Sequence, residues 1–214
     1  MSEQKQLEPS ITRGFSSERG PFKINENPAI TSPIPACKIK YEHAAAAFDY
    51  SVPAEKYGEE KTRGKVVALV KAFTEGTSST LLFAQRAANG MTLAHVWFGA
   101  NFPLFRHSHP QYGDCLYYVI TGEITLGKRR LGPGSTFFLP DCMPYKYTAG
   151  PTGAELLEFR SGGGVKDAPA MSLDELSLDA IDKLIDTCNE NHKNWQQPKK
   201  IGDVAFRQQE LDFG

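Results

Sequence analysis

The stretch FRHSHPQYGDCLYYVITGEITLG, residues 105 to 127, carries two histidines, His107 and His109, separated by one residue and followed by a run of strand-forming side chains. In an extended chain, residues two apart face the same way, so both imidazoles are offered to one side. That is how a β-scaffold presents two nitrogens to a single metal ion. Two unrelated histidines ahead of a strand would give the same three letters, so the choice depends on what else completes a coordination shell. Four cysteines, Cys37, Cys115, Cys142 and Cys188, stand at wide spacings with no CxxC pair. The spacing points to reduced thiols behaving as small core residues, not to a disulfide frame or a zinc ribbon.

The elements that must position the histidines come next. Residues 1 to about 35 are polar, carry prolines at 9, 21, 28, 33 and 35, and show no sustained period. They read as an extended arm of the kind that crosses onto a neighbouring subunit. YEHAAAAFDYSV (41–52) fits either a short helix or an extended stretch. From 66 the texture changes: VVALVKAF, STLLFAQRAA and MTLAHVWFG are short apolar runs separated by EGTS and NG. The pattern goes on through DCLYYVIT, GEITLG, GSTFFLP, PYKYTAG and AELLEFR, with glycine- and proline-bearing turns between them. Short strands at this spacing predict an all-β sandwich or barrel with no helix between 66 and 160. SGGGVKDAP (161–169) reads as a linker. Apolar residues at 173, 176, 178, 181, 184 and 185 then predict a C-terminal helix, capped by Ser172 or Ser177. Three segments follow: an N-terminal arm with edge segments (1–65), a β-barrel (66–160), and a linker, helix and tail (161–214).

Composition bounds the function. The chain has 214 residues, 40% of them hydrophobic, with 13 Phe, enough for a packed core. Lys and Arg number 24 against 25 Asp and Glu. This balance offers no polyanion-binding surface, so nucleic acid is not expected as a partner. No apolar run approaches the roughly 20 residues that span a bilayer, and MSEQKQLEPS lacks the apolar centre of a signal peptide. The expected setting is cytoplasmic, without a membrane partner.

HSHPQYGDCLYYVITGEITLG followed by LGPGSTFFLPDCMPYKY resembles the two sequence boxes of the cupin superfamily, small jelly-roll β-barrels of the RmlC-like type. His107, His109 and Gly122 match the first box, Gly134 and Pro140 the second, and the resemblance extends over roughly 66–160. It implies an all-β fold: a single cupin jelly-roll β-barrel with an extended N-terminal arm and a C-terminal helical extension. Metal-binding cupins use two box-one histidines, a box-one glutamate and a box-two histidine for iron, manganese, nickel, copper or zinc. Here the glutamate position falls on Asp114 counting from His109 and on Cys115 counting back from Gly122, and the box-two histidine position falls on Tyr145. The implied metal ligands are therefore His107, His109 and Asp114, with Tyr145 as a fourth ligand or a proton donor.

His95, in TLAHVWFG, is either a further ligand or a core histidine, and it shares a strand face with Trp97. Cys115 and Tyr117 complete the candidate pocket residues. Two function classes follow. One is a metal-dependent enzyme, dioxygenase- or lyase-type, acting on a small organic substrate, with Fe, Mn, Ni or Zn as its ion. The other is a metal-free cupin that binds or senses a small molecule. A homodimer is expected in either case.

Overall fold

The computed structural model describes residues 16–17, 20–85, 90–162, 169–173 and 176–202. Most of the 161–169 linker, Asn89 of the NG turn, the arm before residue 16 and the tail after 202 lie outside the described residues.

Strands β1 (Ser16–Ser17) and β2 (Gly20–Pro21) pair with each other in the arm. The 41–52 stretch resolves into both of its alternatives. Helix α1 (Tyr41–Ala45) leads to the short strand β3 (Phe48–Asp49), and α2 (Ser51–Tyr57) follows.

The strand reading of VVALVKAF is corrected here: residues Glu59–Phe73 form one helix, α3. Thr62, Val66, Val67, Leu69 and Val70 are its buried residues, spaced for one helical face. Glu59 and Glu60 lie in its first turn and Lys71 in its last, as the helix dipole favours. Valine is a modest helix former, and short apolar runs do not declare their period. What decides the matter is a partner absent from the local sequence. α3 packs on α1 and on α4 (Leu178–Asn191), and Val66, Leu69, Leu173 and Ile181 are fully buried between them. Ser177 caps α4, its Oγ accepting from the Ala180 N–H at 3.1 Å.

The strands that follow are β4 (Thr77–Ala84), β5 (Thr92–Phe98), β6 (Pro103–His107), β7 (Cys115–Leu126), β8 (Arg129–Leu131), β9 (Thr136–Leu139) and β10 (Tyr145–Arg160). They make one antiparallel seven-stranded sheet in the order β4-β5-β10-β7-β8, with β6 also on β10 and β9 also on β7. The two long strands carry the architecture. The start of β10 pairs with β6, and its end, from Ala154, pairs with β5. Likewise one end of β7 pairs with β9 and the other with β8. The register between β7 and β10 slips between Ala149 and Ala154, where the ladder bends. Gly122 sits at that bend with φ +69°, and a Cβ there would stand 2.1 Å from the Gly153 carbonyl oxygen. Only glycine fits.

The result is a mostly-β jelly-roll sheet with a helical layer against it. Among the described residues no pairing joins the edge strand β4 to β8, so the sheet bends into a half-open container without closing as a ring. Its concave face carries the larger core: Val96, Phe98, Phe102, Val119, Ile124, Ala154 and Leu156. A last short strand, β11 (Met171–Ser172), runs parallel to β3 and bridges to Ser108, immediately between the two histidines. Among the described residues no helix is long and apolar enough to cross a membrane.

Candidate functional site

β6 delivers His107 at its last position, and the Ser108–Ser172 bridge keeps the chain extended one residue further. The period of two therefore holds, and the imidazoles converge. Their Nε2 atoms lie 3.1 Å apart, with ring centroids 4.9 Å apart. His107 is buried and His109 partly so.

Each ring is fixed by its other nitrogen. His107 Nδ1 lies 2.9 Å from the Phe105 carbonyl oxygen, and His109 Nδ1 lies 2.7 Å from that of Ala170. A carbonyl oxygen only accepts, so both Nδ1 atoms carry the proton. Burial holds both histidines down to about 3, with the neighbouring His109 adding to the effect on His107 and Arg160 adding to that on His109. Both rings are thus neutral near pH 7, and both Nε2 lone pairs are bare. Two bare lone pairs facing each other at 3.1 Å cannot form a hydrogen bond. Such an arrangement asks for a cation between them. If an ion bound here, His107 and His109 would be the residues to hold it, each through its Nε2. Nδ1–H donation to a carbonyl is also the usual way a ligating histidine is oriented.

The strand pairing supplies the next group. Tyr145 is opposite His107 in the β6–β10 register, and its hydroxyl stands 3.3 Å from His109 Nε2. From there a run of polar groups crosses the concave face. The Tyr145 and Tyr117 hydroxyls are 2.7 Å apart, and Tyr117 donates to Glu158 Oε2 at 3.0 Å. Arg160 Nε donates to Glu158 Oε1, and its Nη2 reaches the Tyr117 hydroxyl at 3.4 Å. Burial raises the pKa of Tyr145 and Tyr117 well above the ordinary phenol value, with the Glu158 charge adding to it, so both remain neutral donors. A cleft lined by His109, Cys115, Leu139, Met143, Tyr145 and Arg160 opens onto this cluster, with about 10 Å³ of free volume. That is room for one water or one ion.

Asp114 does not join the pair. It is exposed, and its Oδ1 accepts from the Asp141 N–H at 2.9 Å, tying the 140–143 turn to the start of β7. Cys115 is the one of the two that faces inward, and burial pushes its thiol up to about 12, so it is no thiolate. Tyr117 also faces inward, stacked on Phe137 with centroids 4.6 Å apart. His95 and Trp97 lie on the other face of β5, since Val96 and Phe98 belong to the concave core. His95 is fully buried there with Glu155, Nε2 to Oε2 at 2.7 Å, and takes no part in the histidine pair. Among the described residues no third His, Cys, Asp or Glu completes a cluster with His107 and His109.

Two groups in the cluster escaped sequence reading, Glu158 and Arg160. The signal was present. Both share parity with Leu156 on β10, opposite Tyr117 and Cys115, so alternation alone turns them inward. The Ala170 carbonyl lies some 60 residues beyond the histidine it orients, at a separation of 61, and no local pattern marks it.

No family model matches the chain, and no curated protein matches it. Solved structures do. An RmlC-like cupin from Shewanella frigidimarina is 22% identical over 41% of this chain and 78% of its own, with a TM-score of 0.35. KdgF from Halomonas sp. is 22% identical over 41% of this chain and 81% of its own, with a TM-score of 0.34. The polyketide cyclase RemF from Streptomyces resistomycificus is 20% identical over 50% of this chain and 78% of its own, with a TM-score of 0.40. The β-domain of this chain is similar to these structures over part of its length, and it is a mostly-β jelly-roll sheet with the histidine pair ending β6, Tyr145 opposite it on β10 and Gly122 at the bend of the long strands.

Proposed function

We propose that this chain is a metal-dependent enzyme, dioxygenase- or lyase-type, that acts on a small organic substrate at the His107 and His109 pair. One observation carries the reading: two neutral imidazoles, each locked by Nδ1–H donation to a carbonyl, aim bare Nε2 atoms at one point 3.1 Å across. A buried acceptor left without a donor costs about 1–3 kcal/mol, a cost that a cation removes. His107 and His109 would hold a divalent ion (Fe, Mn, Ni or Zn), and the Tyr145 oxygen stands nearest as a third group. The ion supplies Lewis-acid polarisation of a substrate oxygen. The rest falls to the protein. The aromatic wall of Tyr117, Phe137 and Tyr147 keeps water from the concave face, and the Tyr145 hydroxyl, whose hydrogen goes to Tyr117, turns an oxygen lone pair toward His109.

A second reading, a metal-free cupin that binds or senses a small molecule, rests on the lack of a third carboxylate or imidazole among the described residues. Elemental analysis of untagged protein separates the two. Stoichiometric transition metal, lost in His107→Ala and in His109→Ala, supports the enzyme reading. Substoichiometric metal unaffected by either change, with ligand-induced thermal stabilisation that survives excess chelator, supports the metal-free one.

The proposed working unit is a homodimer. It is supported by Leu116, Tyr118, Phe138 and Phe159, which expose large apolar side chains on the convex face of neighbouring strands. A monomer in sedimentation analysis at micromolar concentration would remove this part.

A further inference from the structure

The N-terminal arm passes beside the edge strand β4 without joining the sheet. Among the described residues β4 pairs with β5 alone, and no backbone–backbone hydrogen bond ties the arm to it. Prolines at 28, 33 and 35 lack the N–H donors that a ladder would need. Side chains make the connection instead. Asn25 Nδ2 donates to the Leu82 carbonyl at 2.9 Å, and the Thr31 N–H donates to Thr80 Oγ1 at 2.8 Å. Between arm and strand lies an open-sided groove of about 600 Å³, a volume typical of small-molecule sites. Ile24 and Pro28 line it from the arm, and Leu81, Phe83 and Leu93 from the sheet, with Phe83 opposite Leu93 in the β4–β5 register. Ile24 and Leu81 remain 68% and 62% exposed, so large apolar surface in this groove is left to water. Lys23 is the charged residue in the lining, and it makes no ion pair or hydrogen bond among the described residues.

We infer that this groove binds a small amphiphilic anion, a medium-length alkyl chain ending in a carboxylate. The chain lies against Ile24, Leu81, Phe83 and Leu93, and burial of its methylenes supplies the affinity. The carboxylate stays at the rim beside the Lys23 ammonium, which sets the sign of the head group. An extended peptide fits less well. It would add to β4 through that strand's outward backbone groups, yet Asn25 already takes the Leu82 carbonyl and the arm occupies that side. The site is independent of the histidine pair, because neither His107 nor His109 lines the groove.

The test is titration calorimetry of the full chain in excess chelator with three decyl probes below their micelle concentrations: decanoate, uncharged decanol and decyltrimethylammonium. One site per chain is expected, with decanoate held about tenfold more tightly than decyltrimethylammonium and decanol between them. Octanoate should bind several-fold more weakly than decanoate, since fewer methylenes are buried. Lys23→Glu is expected to reverse the order of the two charged probes, and Ile24→Gln to weaken all three by about three- to tenfold. Both residues are exposed, so neither change endangers folding. No saturable uptake of decanoate by the wild-type chain overturns the proposal. So does an unchanged order of affinities in Lys23→Glu, or unchanged affinity in Ile24→Gln. A wild-type dimer that Ile24→Gln makes monomeric in sedimentation, with no decanoate taken up, gives the groove to a second copy and overturns it equally.

Discussion

Lowering the pH should destabilise this protein through His107 in a way that can be isolated by one substitution. In the unfolded chain the histidine takes up a proton near its ordinary value of 6.5, whereas burial holds the folded group down to about 3. Between those values the unfolded state binds more protons, so stability rises with pH and falls as acid is added. The contribution is present in full above the unfolded value and is lost progressively below it. Moving from about pH 7.5 to about pH 5 lies well above the folded value, so the loss is set by the unfolded state alone. At about 1.4 kcal/mol per unit, His107 accounts for about 2 kcal/mol over that interval. The partner for comparison is His107→Asn, whose side-chain amide nitrogen can still donate to the Phe105 carbonyl but does not titrate. Urea unfolding in chelator at both pH values, for both proteins, gives the double difference. His109 touches His107, so the pair is also compared on a His109→Asn background, where their coupling drops out. The wild-type chain should lose about 2 kcal/mol more than the variant. Parallel losses would show that His107 protonates in the folded state as readily as in the unfolded one, and the argument for a bare Nε2 would fall with it.

Three further outcomes follow from the geometry. Gly122→Ala should cost about 1–3 kcal/mol in urea unfolding, because its φ of +69° is left-handed and the new methyl would meet the Gly153 carbonyl at 2.1 Å; a neutral result would mean the bend between β7 and β10 is not held there. Asp114→Asn should leave metal content unchanged and shift stability by no more than about 1 kcal/mol, since the side chain only caps the Asp141 N–H from an exposed position; loss of metal would return Asp114 to the site. Ser177→Ala should lower the melting temperature through loss of the α4 cap, worth about 1 kcal/mol, and hydrogen exchange should report the loss as fraying of the first turn of that helix.

How much was legible in the sequence can be read from individual residues. The convergence of His107 and His109 follows from a period of two and nothing more, because β6 and its bridge to Ser172 keep the chain extended through residue 108. The same rule, counted back along β7 from the core residues Val119 and Tyr117, turns Cys115 inward and Asp114 outward. Motif spacing pointed to both positions equally, and strand parity decides between them. Parity likewise sends His95 and Trp97 to the convex face, once Val96 and Phe98 are known to fill the core, a fact the sequence of β5 does not carry. α3 was hidden for a different reason. VVALVKAF is short, apolar and β-branched, and it becomes helical because α1 and α4, distant in sequence, offer it a face to bury. Tyr145 was found through the box spacing. Glu158 and Arg160 were overlooked although alternation on β10 points both inward, because charged side chains near the end of a strand read more naturally as solvent-facing.

The central claim is that His107 and His109 together bind one divalent ion. The most direct measurement is a Co²⁺ titration of the untagged, chelator-treated chain followed by its visible ligand-field absorption, which reports nitrogen donors to the ion. The account predicts saturation at one Co²⁺ per chain, abolished by either His107→Ala or His109→Ala and untouched by Asp114→Asn. Absorption that persists in both alanine variants, or a wild-type chain that gives none, would contradict it.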